Sequence, residues 1–179
     1  LTLVGIVGAD AGLFSADYRA PERLFQQLLQ VAGRSGRGEL PGEVFVQTEF
    51  PEHPLYEHLA RRDYPGFAER ELADRRVAGF PPYGYHAVLR AEAPELEAAA
   101  AFLKQARDAA AGLQSPVILY DVVPMRLVRR ARLERAQLVL EADNRAALQT
   151  LLTALMPRLY ALKAPKDLRW HLDVDPAEL

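Results

Sequence analysis

The sequence predicts a mixed α/β protein: a parallel β-α-β unit, a helical connector, and an α+β sandwich of order β-α-β-β-α-β. Three observations predict it. The apolar opening Leu1-Thr2-Leu3-Val4-Gly5-Ile6-Val7 is of the kind buried on both faces of a parallel sheet, and no tail precedes it, so the chain is expected to start inside a domain. Gly79-Phe80-Pro81-Pro82-Tyr83-Gly84 resets the backbone, because consecutive prolines cannot continue a helix. Beyond it, four short β-rich runs alternate with two long helical ones in the split β-α-β order, which gives an antiparallel four-stranded sheet with two helices on one face.

The first strand ends at the loop-forming Gly8-Ala9-Asp10-Ala11-Gly12. A helix is expected from Ala20-Pro21-Glu22, since proline is tolerated in a first turn, and Leu24, Phe25, Leu28, Leu29 and Ala32 then recur at helical spacing. Gly33 to Gly38 and Pro41-Gly42 close it, and Glu43 to Thr48 read as the second strand, parallel to the first. From Pro54 to Ala78 the pattern is helical again, with two helices broken at Tyr64-Pro65-Gly66. The implied domains are 1–53, a connector over 54–82, and 83–179. In the last, strands are expected at His86–Ala91, Val117–Val123, Gln137–Glu141 and Leu168–Val174, with helices over Glu95–Leu113 and Arg145–Leu162. Asp143-Asn144 offers the second helix a cap, and Ala147, Leu148, Leu151, Leu152, Leu155 and Leu159 supply its buried stripe.

Composition narrows the function classes. Half of the 179 residues are hydrophobic and 26% are charged, the balance of a folding globular chain. The net charge of −2 gives no global attraction to phosphate, so any nucleic-acid surface must be a local basic patch. There is no cysteine, and His53, His58, His86 and His171 do not fall at metal-ligand spacing, so no metal site is expected. No apolar run approaches the roughly 20 residues of a membrane span, and the start lacks the pattern of a secretion signal; the cytoplasm is the default.

The sharpest motif is Gln30-Val31-Ala32-Gly33-Arg34-Ser35-Gly36-Arg37-Gly38, which matches the glutamine, glycine-arginine, glycine-arginine pattern of motif VI in superfamily 2 helicases. Arg34 and Arg37, three positions apart, project in nearly the same direction from a helical turn, while Gly33, Gly36 and Ser35 permit close approach of backbone to phosphate. Guanidinium groups stay charged and bind phosphate oxygens bidentately, so such a pair can stabilise charge in phosphoryl transfer. The bland alternative is a solvated helix C-terminus where cations favour the dipole; the surrounding strand, helix and strand favour a RecA-like helicase lobe.

Beyond that motif, Leu3-Val4-Gly5-Ile6-Val7 with Ala9-Asp10, Leu13 through Ala20, Asp63-Tyr64 with Phe67, Glu71-Leu72, Arg75-Arg76, Pro81-Pro82-Tyr83 and the closing Trp170, Leu172-Asp173-Val174-Asp175-Pro176 carry a further likeness. On these residues the chain resembles, end to end, the primosomal protein N′ family of bacterial replication-restart helicases. The resemblance implies the last part of the second helicase lobe and a C-terminal domain that binds DNA and the tail of single-stranded-DNA-binding protein. It implies that Arg34 and Arg37 act in ATP hydrolysis with Gln30, Gly33 and Gly36 close to the nucleotide. It further implies ATP and magnesium in the intact parent, and zinc in a cysteine-rich module upstream. Partners implied are single-stranded and branched DNA and other primosome proteins, in the cytoplasm. No Gly-x-x-x-x-Gly-Lys-Ser/Thr run is present, so this chain alone is not expected to hydrolyse ATP. A non-enzymatic scaffold whose parent has a decayed motor stays open.

In the last domain the resemblance carries a partner-binding pair onto Arg145 and Gln149, one helical turn apart on one face, with the arginine suited to a terminal carboxylate; ordinary helix-surface residues are the alternative. The basic run Arg126, Arg129, Arg130, Arg132 and Arg135, opposed by Glu134, reads as a hairpin able to lie along phosphates, or as a sheet edge guarded by charge. It lacks the family's glycine turn and aromatics, which argues against base stacking. Weaker signals are Asp10, placed at a strand end to couple nucleotide to DNA, and Asp173 with Asp175, expected to face one side of a strand. Trp170 is expected in packing rather than in a stacking platform.

Overall fold

In a computed structural model the chain divides into two compact units, one ending at Ala78 and the other beginning at Gly79. Described are residues 3–15, 17–33, 43–130 and 132–177, with the backbone alone over 126–130. The first unit contains β1 (Leu3–Ile6), α1 (Asp10–Leu13), α2 (Ala20–Ala32), β2 (Glu43–Val46), α3 (Pro54–Arg61) and α4 (Tyr64–Ala78). β1 and β2 pair in parallel, Leu3 opposite Glu43 and Ile6 opposite Val46. α2 opens on Pro21, whose missing N–H costs nothing in a first turn, and buries Leu24, Phe25 and Leu28. Phe25 stacks on Phe67 of α4 at 4.1 Å between centroids, and Leu13 and Leu55 complete the same core. The helices expected as a connector therefore pack into the first unit.

Two expectations are corrected here. The opening strand was expected to be buried on both faces, but within this chain Leu3 and Val7 are exposed, at 57% and 79%, as is Phe45 of the neighbouring β2, at 62%. Parallel strands bury both faces only when helices cover both, and among the described residues the helices take only the side of Ile6 and Val46. The helix break falls not at Tyr64-Pro65-Gly66 but at Arg62, whose φ of 54° ends α3, and Tyr64 begins α4. The sequence Asp63-Tyr64-Pro65-Gly66 is a helix start: Asp63 accepts the Gly66 N–H at 2.9 Å, and a Cβ on Gly66 would collide with the Asp63 carboxylate. Arg75 of α4 reaches Glu22 of α2 at 2.9 Å and lies over the Tyr18 ring at 5.1 Å, fastening the two helices.

The second unit contains β3 (Tyr85–Ala93), α5 (Leu96–Ala111), β4 (Ile118–Leu119), β5 (Val123–Arg130), β6 (Leu133–Ala142), α6 (Arg145–Ala161) and β7 (Arg169–Val174). Its sheet runs β4-β6-β3-β7 with antiparallel neighbours, and β5 also pairs with β6. Strand alternation sends Ala87, Leu89, Ala91 and Ala93, with Ala136, Leu138, Leu140 and Ala142, onto one face. There they meet Phe102 and Leu103 of α5 and Leu148, Leu151, Leu152, Leu155 and Leu159 of α6. Asn144 caps α6 by accepting the Ala147 N–H at 2.8 Å. The strand expected over 117–123 is reduced to Ile118–Leu119, and the arginine-rich run beyond it is itself strand. A register irregularity between Pro124 and Arg129 lets the chain turn away from β4 and still pair with β6.

The opposite face of the sheet is charged. Arg90 meets Asp173 at 3.0 Å, Arg135 meets Glu92 at 2.9 Å, and Glu141 lies 2.6 Å from the Tyr120 hydroxyl and 3.4 Å from Nε2 of the buried His86. Asp173 and Asp175 do not work as a pair on one side: Asp173 holds Arg90, whereas Asp175, beyond the strand end with φ 54°, holds Arg145 of α6.

Candidate functional site

Because β1 and β2 are parallel, α2 must run back against them, and this connectivity separates the candidate residues of the first unit. Asp10 stands beyond the C-terminal end of β1. Its carboxylate accepts the Thr48 hydroxyl and, at 2.9 Å, the Glu49 N–H, so it ties the ends of the two strands together. Gln30 and Gly33 close α2 at the other end of the unit, before the chain enters β2. Asp10 and Gln30 are therefore not neighbours in one loop cluster.

Gln30 is exposed on the last turn of α2. Gly33 continues the right-handed helix at φ −68°, with its N–H donating to the Leu29 carbonyl at 3.0 Å. A Cβ there would make only ordinary contacts, so neither backbone conformation nor crowding from described neighbours demands glycine. Arg34, Gly36 and Arg37 lie outside the described residues.

In the second unit Arg145 and Gln149 are both exposed, on the first and second turns of α6. The Arg145 guanidinium is 3.0 Å from Asp175 and 5.4 Å from the centre of the Tyr85 ring, which puts a carboxylate and an aromatic face on the same arginine. A cation at a helix N-terminus opposes the helix dipole, and Asp175 offsets that charge. Sequence spacing had paired Asp175 with Asp173 and had left Tyr85 unremarked. Only closure of the sheet onto α6 brings both to Arg145.

The basic run is divided. Arg129 and Arg130 on β5 sit opposite Glu134 and Leu133 of β6, and Arg126 falls in the same strand. Arg132 is exposed in the turn with φ 71°. Arg135 stands apart from the others: its side chain is 13% exposed and held by Glu92 on the charged face of the sheet. Such an arginine contributes fixed geometry more than free charge.

The family model described as Primosomal protein N C-terminal domain matches residues 76–177, the whole second unit and the last residues of α4. The chain belongs to that family. Among Primosomal protein N relatives, the Replication restart protein PriA of Haemophilus influenzae is 37% identical over 180 residues, covering 100% of this chain and 24% of the relative. The protein of the same name from Rickettsia felis is 32% identical, covering 98% of this chain and 26% of the relative. That of Synechocystis is 50% identical over 90 residues, 50% of this chain. The chain thus spans about a quarter of the length of the relatives it matches end to end, so the match extends over both units and stops well short of the relatives' full length.

Proposed function

We propose that this chain is the C-terminal part of an ATP-dependent DNA helicase of replication restart. The observation that carries the reading is the end-to-end match to proteins named Replication restart protein PriA, together with the complete Gln30 to Gly38 run at the close of α2. In this reading the first unit is the last part of a RecA-like lobe and offers Arg34 and Arg37 to the γ-phosphate of an ATP held with magnesium by another part of the parent. Gln30, Gly33 and Gly36 line the approach. Two guanidinium groups suit charge developing on phosphoryl oxygens, and removal of one such finger costs roughly 10³ to 10⁵ in rate. Arg37→Ala in the intact parent is expected to abolish DNA-stimulated ATP hydrolysis while leaving the thermal unfolding of the protein unchanged. Undiminished hydrolysis would refute the motor reading.

The second unit binds partners in this proposal. Arg145 presents five N–H donors, of which Asp175 occupies only part, so a terminal carboxylate from the tail of single-stranded-DNA-binding protein can join it, with Gln149 one turn along. Arg126, Arg129, Arg130 and Arg132 supply a salt-sensitive phosphate contact without sequence preference, and Arg135 holds the strand beneath them. Neutralising Arg129, Arg130 and Arg132 together is expected to weaken oligonucleotide binding and flatten its salt dependence. Arg145→Ala is expected to weaken binding of the tail peptide alone.

A further inference from the structure

β7 is an edge strand. Among the described residues it pairs only with β3; it contains no proline, and of its charged residues Arg169 and Asp173 the latter is held by Arg90. The Asp175 N–H donates to the His86 carbonyl at 3.0 Å, which fixes the phase of the ladder. With the register Val88 opposite Asp173 and Arg90 opposite His171, those are the hydrogen-bonded pairs, so the N–H and C=O groups of Trp170, Leu172 and Val174 point away from the sheet. Beside this edge runs a groove of about 660 Å³, floored by Trp170 and Leu172 and walled by Met156 and Tyr160 of α6. Tyr160 is 75% exposed, although its ring lies 5.3 Å from that of Trp170. An outward row of backbone donors and acceptors next to a groove that mixes apolar Met156, Trp170 and Leu172 with Arg169 and His171 is an arrangement that can receive an added strand.

We propose that an extended peptide with alternating acidic and apolar residues docks here as a sixth strand of the sheet, added on β7. Charge selects the acidic character: between Lys163 and Arg169 the chain exposes Lys163, Lys166 and Arg169 against Asp167 alone. Geometry selects a peptide over a nucleobase. The Trp170 ring already lies 6.0 Å from Phe102 and 5.3 Å from Tyr160, and what the strand offers outward is a row of amides suited to a partner backbone. The groove itself lies toward the far end of α6 from Arg145, which stands fifteen residues before Tyr160, about 22 Å along the helix axis at 1.5 Å per residue, while β7 runs on toward Asp175, the partner of Arg145.

Trp170 is the only tryptophan in the chain and reports the groove directly. The probe is a blocked octapeptide of alternating glutamate and valine, titrated against this chain while tryptophan emission is followed. Emission is expected to shift to the blue with saturation, about tenfold more peptide being required for Tyr160→Ser, whose side chain is too exposed to endanger folding. Methylating alternate peptide nitrogens is expected to abolish the shift, while Arg145→Ala leaves it intact. Equal binding of the methylated peptide overturns strand addition, and loss of the shift in Arg145→Ala overturns a separate site. A response to a twelve-nucleotide oligothymidylate but not to the peptide would assign the groove to nucleic acid and overturn the proposal. So would concentration-dependent dimerisation that Tyr160→Ser abolishes, because the occupant would then be a second copy.

Discussion

Replacing Phe25 by alanine tests whether the first unit owes its stability to one aromatic contact. Phe25 is fully buried, stacked on Phe67 at 4.1 Å with planes 9° apart, and surrounded by Leu28 and Leu55 in a small core. Truncating a buried phenylalanine costs about 3–5 kcal/mol, transfer and cavity terms together. A unit of this size has on the order of 4–12 kcal/mol in all, so the substitution removes a large share of it. The second unit shares none of these core residues and holds the sole tryptophan against Phe102. The expected result is separation of two transitions: far-ultraviolet circular dichroism shows early loss of helix, while the Trp170 fluorescence transition stays in place. Amide exchange should accelerate throughout α2, including Gln30 and Gly33. A loss below about 1 kcal/mol, or a Trp170 transition that moves with the first, would refute the assignment of Phe25 as the keystone of a separately stabilised unit.

Further outcomes can be checked on the same chain. Asn144→Ala removes the cap on α6 and is expected to cost about 1 kcal/mol, lowering the fluorescence melting temperature by several degrees, whereas Asn144→Asp preserves it. Burial, only partly offset by Arg75, raises the carboxyl of Glu71 above its usual range. A raised carboxyl is favourable to folding below its unfolded value near 4.5 and loses that contribution as pH rises through the folded value, so Glu71→Gln should flatten the stability profile above pH 4.5. Asp63 runs the other way: the Gly66 N–H, then His58, hold it below the usual range, and its contribution is lost as pH falls below about 3.8. Asp63→Asn should remove that acid limb, read as amide exchange in the first turn of α4.

The amino-acid order determined those parts of the protein that depend on neighbours within a turn or on a strand's alternation. The apolar period of α2 and the leucine stripe of α6 place both helices within a residue or two, and Asn144 caps α6 where short-range chemistry says it should. The family of the second unit was equally legible, because Pro81-Pro82-Tyr83 and the closing Asp-Val-Asp-Pro are contiguous, but the expected β-α-β-β-α-β order missed β5, a third strand between the two helices. Tertiary structure decided whatever depends on partners far away in the chain. Leu3 and Val7 look like core in sequence, but apolar character alone does not say how many helical layers cover a strand. Arg135 and Arg132 look alike in a basic run, but only the first meets Glu92 across the sheet. Asp173 and Asp175 are two residues apart, yet a left-handed residue after β7 sends one to Arg90 and the other to Arg145. A residue type fixes its charge and propensity locally, and which opposite charge or apolar surface it meets is settled only when distant strands close into a sheet.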